Sequence, residues 1–145
     1  MRGSIYDRGD WDDAREMGFD LVPTDEIREL GIQRVVDRIR GRTRETKVYV
    51  SFDVDFVDPA YAPGTGTPEI GGFTSRGAQE FVRALADLEI VGCDGGGLPA
   101  YDHAQLTALL AANVAHESSA CSRSRKSRYV SPGGIAREPT TSILE

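Results

Sequence analysis

Three aspartates, Asp53, Asp55 and Asp58, stand within six residues in the stretch VYVSFDVDFVDPAYAPGTGTPEIGG, residues 48–72. The stretch opens as a β-branched and aromatic strand and runs into a Gly/Pro/Thr loop. Side chains two apart on a strand share a face, so strand geometry carried past Asp53 brings the carboxylates of Asp53 and Asp55 together. Two such carboxylates oppose each other's ionisation unless a positive charge lies between them. Their hard oxygens suit a manganese or magnesium ion. Asp58 precedes Pro59, which equips it to cap the turn or to orient the other two carboxylates. Turn-forming aspartates at a strand end are the bland alternative, and D-x-D also occurs in metal-dependent glycosyltransferases and phosphatases. Phe56 and Val57 break the pattern of an EF-hand loop. GTGTPE, residues 64–69, lacks the Lys-Ser/Thr of a phosphate-binding loop.

The elements that position these residues follow from periodicity. Strands are predicted at 19–22, 48–53 and 89–93, and helices at 25–40, 75–87 and 103–116. Ile32, Val35, Val36 and Ile39 form the buried face of the first helix, with Thr24 as its N-cap. Ala78, Phe81, Val82 and Leu85 form that of the second. Asp102 and Gln105 are spaced as a capping box for the third. Alternating strands and helices predict an α/β fold with a parallel sheet. Ligands bind off the carboxyl ends of such strands, where Asp53 and Asp94 are both expected.

A chain of 145 residues suits one domain. The net charge of −6 argues against a nucleic-acid partner, and no apolar run is long enough to span a membrane. The N-terminal residues show no secretory apolar region. Cys93 and Cys121 lack metal-type spacing; Cys93 reads as a buried thiol, and a reducing cytoplasm is the expected location. From residue 117 the composition turns to Ser and Arg, so residues 117–145 read as a disordered tail without a long regular element.

SFDVDFVDPAYAPGTGTPEIGG closely resembles the signature of the ureohydrolases, the family of arginase, agmatinase, formimidoylglutamase and guanidino-acid hydrolases. The flanks MRGSIYDRGDWDDAREMGF and LPAYDHAQLTALLAANVA resemble the family too, and PAYDHA favours its agmatinase side. The resemblance covers residues 1–116 and implies a three-layer α/β/α fold, a binuclear manganese site, a small guanidino substrate and a homo-oligomer. Asp53 matches the bridging carboxylate, Asp55 a ligand to one metal, and Thr67 a threonine lining the pocket. The implied reaction is hydrolysis of an agmatine-like compound to an amine and urea.

Three departures accompany the match. The family's other ligands come from upstream motifs of the type GGDHS and DAHxD, and neither occurs here. His103 and His116 read as helix-end residues, with His116 closing its helix. Where the family carries a glutamate that pairs with the guanidinium, this chain has Gly95, Gly96 and Gly97, with Asp94 left to occupy part of that site. The apolar last helix of the family decays here after Val114. The chain therefore resembles the C-terminal part of a ureohydrolase, inactive in isolation, with a non-catalytic remnant or interaction module that binds metal weakly as the alternative.

Overall fold

The computed structural model describes residues 7–97 and 105–128. In chain order these form α1 (Arg8–Glu16), α2 (Thr24–Leu30), α3 (Ile32–Thr43), β1 (Val48–Asp53), a 3-10 turn (Val54–Phe56), α4 (Ser75–Ala84), β2 (Ile90–Gly96) and α5 (Leu106–Arg128). β1 and β2 pair in parallel, as the alternation of strand and helix predicts. The register runs from Val48 opposite Ile90 to Asp53 opposite Gly96, with Val91 as an extra residue in a bulge after the first pair. Among the described residues no helix is long and apolar enough to cross a membrane.

The core has two parts, both reached by α4. Val54, Val57, Ala62, Ala78, Val82 and Val114 pack beneath the loop that follows β1. Val36, Leu85, Leu88, Ile90 and Cys121 pack under the sheet, with Ile32, Ile39, Val50 and Phe81 against them. The predicted apolar faces of α3 and α4 are thus the faces that are buried. Thr74 caps α4 by accepting from the Gly77 N–H at 3.0 Å.

Five expectations are corrected. The strand predicted at 19–22 does not form: the segment carries no regular secondary structure, and Phe19 is exposed. Arginines of α3 hold it instead. Arg38 donates to Asp20 and, at 2.9 Å, to Glu26, and Arg42 donates to the Gly18 carbonyl. The helix predicted at 25–40 is two helices, broken at Gly31, whose φ of 81° lies in the left-handed region that glycine tolerates. Thr24 is the first helical residue of α2 and is buried; Pro23 holds the cap position. Cys93 is only partly buried, and both cysteines are free thiols.

The fifth correction concerns α5, which continues to Arg128, so residues beyond 118 do carry a regular element and His116 is internal to it. Thr107, Leu110, Val114, Ser118 and Cys121 recur at helical spacing and are all buried. The polar members of this stripe enter the core because their hydroxyls are satisfied locally. Ser118 donates to the Val114 carbonyl at 2.9 Å, and Thr107 accepts from the Gly64 N–H at 2.8 Å. Asp102, His103 and residues 129–145 lie outside the described residues; Gln105, the other member of the predicted capping box, stands outside α5, just before Leu106, at φ 54°.

A two-pronged ion pair fastens α5 to α4. Arg83 donates to both carboxylate oxygens of Glu117, and Gln79 donates to one of them at 2.9 Å. The hydrogen bond from Arg83 holds the Glu117 carboxyl below its ordinary value of 4.5. A depressed carboxyl contributes stability that is complete above its unfolded pKa and is lost as pH falls through its folded one. Urea midpoints followed from about pH 6 to about pH 3 should therefore fall more steeply for the native chain than for Glu117→Gln. Parallel curves would show that the pair contributes nothing.

Candidate functional site

β1 ends at Asp53, and the backbone then tightens into the 3-10 turn. Strand alternation therefore does not carry Asp55 beside Asp53; the turn does. Asp53 accepts from the Asp55 N–H at 2.9 Å, so its carboxylate caps the turn that carries Asp55. Thr67 comes back along the loop, and its hydroxyl donates to Asp55 Oδ2. The turn rests on aromatic rings: Phe56 stacks on Phe73 at 4.5 Å and meets Phe52 and Phe81 edge-on.

Asp58 does what its place before Pro59 allows. One oxygen accepts from the Ala60 N–H at 3.0 Å, and the other from the Gly71 and Gly72 N–H groups at 2.9 and 3.2 Å. It thereby closes the loop that contains Thr67. Arg28 of α2 grips the same closure from outside, donating to the carbonyls of Gly71 and Gly72 at 3.1 and 2.9 Å.

Asp94 is not at a strand end, because β2 continues to Gly96. The Val91 bulge sets Asp94 opposite Ser51 on the open face of the sheet. There it accepts from the Ser51 hydroxyl at 2.6 Å and the Tyr49 hydroxyl at 3.0 Å. The bond to Asp94 raises the Tyr49 pKa, since an ionised phenol would face the carboxylate without a proton to share.

The glycine run has a role that entropy alone does not reveal. Gly97, at φ 78°, presses its Cα so close to Asp53 that an added Cβ would stand 2.2 Å from Asp53 Oδ1. A strand end facing the D-x-D segment was the available signal for this contact.

Carboxylate oxygens suit a hard divalent cation. Among the described residues, however, no three His, Cys, Asp or Glu side chains are grouped so as to hold a metal ion. His116 is exposed on α5, and His103 lies outside the described residues. The donors present therefore do not fit a complete metal centre.

The model of the arginase family matches residues 2–121. The chain is 45% identical over 118 residues to guanidinopropionase from Pseudomonas aeruginosa, covering 81% of this chain and 37% of that protein. It is 43% identical over 104 residues to agmatinase from Escherichia coli, covering 71% and 34%. Proclavaminate amidino hydrolase from Streptomyces clavuligerus superposes with a TM-score of 0.73 at 43% identity, covering 77% of this chain and 38% of that one. The chain thus spans little more than a third of the length of these relatives, and its α/β architecture is an incomplete arginase-like fold. From the signature around Asp53 and Asp55, the family match and the shared fold, the chain belongs to the arginase family.

Proposed function

We propose that this chain is part of a manganese-dependent hydrolase that cleaves a small, agmatine-like guanidino compound to an amine and urea. The observation that carries this reading is the likeness to guanidinopropionase and agmatinase across the segment that places Asp53, Asp55 and Thr67 at the carboxyl end of β1. In this reading Asp53 and Asp55 are metal ligands, Thr67 orients Asp55, and Asp58 holds the loop that delivers Thr67. Divalent cations supply such reactions with an acidified water and with stabilisation of developing negative charge. The remaining ligands come from polypeptide outside these 145 residues. The short donor set, with Asp94 engaged by Tyr49 and Ser51, favours a non-catalytic remnant as the second reading.

Calorimetric titration with manganese and a urea assay on agmatine test both readings. The chain alone should bind manganese weakly and release no measurable urea, and Asp53→Ala should abolish the residual binding. Manganese binding that is unchanged in the Asp53→Ala, Asp55→Ala double variant would remove the site assignment. Urea released by the chain alone, and surviving Asp53→Ala, would remove the claim of an incomplete hydrolase.

A further inference from the structure

The buried stripe of α5 is apolar at Leu110 and Val114 but begins at Thr107, which is only 2% exposed. A hydroxyl in a core needs a partner. Helical serines and threonines often find one in their own helix, as Ser118 does at the Val114 carbonyl. Thr107 instead accepts from the Gly64 N–H at 2.8 Å, a buried bond between positions 43 residues apart. That N–H opens the run GTGT, residues 64–67. Gly64 and Thr65 are buried, whereas Gly66 and Thr67 are exposed. The Thr65 hydroxyl makes no hydrogen bond among the described residues, so the polar anchor of the run in the core is Gly64. Thr67 then donates its hydroxyl to Asp55 Oδ2. Three residues span at most about 11 Å, so a shift of the anchor at Gly64 is felt at Thr67. The helix that holds the anchor is itself fixed. Leu110 and Val114 pack with Ala62, Ala78 and Val82, and Glu117 is gripped by Arg83.

We propose that Thr107 is a positioning residue for the candidate site: its hydroxyl sets the start of the GTGT run so that Thr67 meets Asp55. The two halves of the side chain then do separate work. The methyl group fills the core beneath the loop, and the oxygen fixes where the loop begins. Valine keeps the shape and removes the acceptor, which leaves the Gly64 N–H buried without its partner and drives the run to move. Serine keeps the acceptor and removes the methyl group, which costs packing alone. A purely structural threonine would make both variants less stable and leave Asp55 untouched in both. The consequence for metal binding rests on the reading of Asp55 as a ligand; the linkage from Thr107 to Asp55 rests on the hydrogen bonds alone.

The test uses the full 145-residue chain. In metal-free protein the carboxyl carbon resonance of Asp55 reads the bond from Thr67, with Thr67→Val as the reference for its loss. Thr107→Val should move that resonance in the same direction as Thr67→Val, and Thr107→Ser should leave it in place. Thr107→Cys puts a weak acceptor at the same point and should fall between; it carries the comparison if valine costs the fold. Leu110→Ala loosens the same core cluster without touching the hydroxyl, so it should lower the urea midpoint and leave the resonance in place. Manganese affinity, read by electron paramagnetic resonance, should fall about fivefold in Thr107→Val, less than for loss of a group in direct contact with a ligand, and stay native in Thr107→Ser. An Asp55 resonance that ignores Thr107→Val overturns the inference, as does one that moves equally in Thr107→Ser or Leu110→Ala. A moved resonance with native manganese affinity in Thr107→Val would refute Asp55 as a ligand and leave the linkage standing.

Discussion

Gly72→Ala is expected to lower the stability of the chain by about 3 kcal/mol, measured as the shift in urea unfolding. A Cβ at this position would lie 2.3 Å from the Asp58 nitrogen and 2.6 Å from the Val57 carbonyl carbon. Both are backbone atoms, so no rotamer change relieves the contact, and residues 57–58 must separate from residues 71–73. That separation breaks the Asp58 N–H bond to the Phe73 carbonyl at 2.8 Å and draws the Gly71 and Gly72 amides away from the Asp58 carboxylate. Hydrogen bonds to a charged acceptor are each worth about 1.5–3 kcal/mol. Asp58→Ala removes those bonds without the clash and should cost about 2–3 kcal/mol. Because both changes open one closure, the double variant should cost much less than their sum. Additive losses would show that Gly72 and Asp58 act separately.

Gly97→Ala should reduce manganese affinity more than about tenfold, although residue 97 offers no ligand of its own. The methyl group meets the Asp53 carboxylate at 2.2 Å, and a positive φ adds about 1 kcal/mol of backbone strain for alanine. Displacing that carboxylate also breaks its bond to the Asp55 N–H and so loosens the turn that carries Asp55. Gly96→Ala is the control, since an added Cβ there meets nothing within 4 Å. Manganese electron paramagnetic resonance on the three proteins reads the effect. Equal affinity in native and Gly97→Ala protein would show that Asp53 is not held from this side.

The legible parts of the fold are those whose order is local. α4 shows in sequence because Ala78, Phe81, Val82 and Leu85 repeat at helical spacing. β1 shows because VYVSFD alternates between two faces. Residues 19–22 have strand composition, but a strand needs a partner edge, and composition does not report one. Gly31 breaks a helix through its φ, which the continuous apolar stripe of Ile32, Val35, Val36 and Ile39 conceals. Ser118 and Cys121 look like the start of a polar tail because internal bonding of a serine hydroxyl is invisible to hydropathy. In the candidate site, spacing singles out Asp53 and Asp55 and only the signature singles out Thr67; the structure links all three by hydrogen bonds, while the turn-capping role of Asp58 follows from its proline neighbour. Asp94 was misplaced by register. Without the bulge at Val91 it would sit opposite Phe52 on the core face; the single extra residue moves it to the open face, against Ser51 and Tyr49.

The Asp58 closure joins positions 13 and 14 residues apart, whereas the Ser51–Asp94 contact across the sheet joins positions 43 apart. Closing the longer loop costs about 1 kcal/mol more chain entropy, since that cost grows with the logarithm of loop length. The closure is held by its own backbone, by Arg28 of α2, by Thr107 of α5 bonded to Gly64 and by the Val57–Phe73 bridge, all outside β2. Loosening the sheet therefore leaves the Thr67 loop folded.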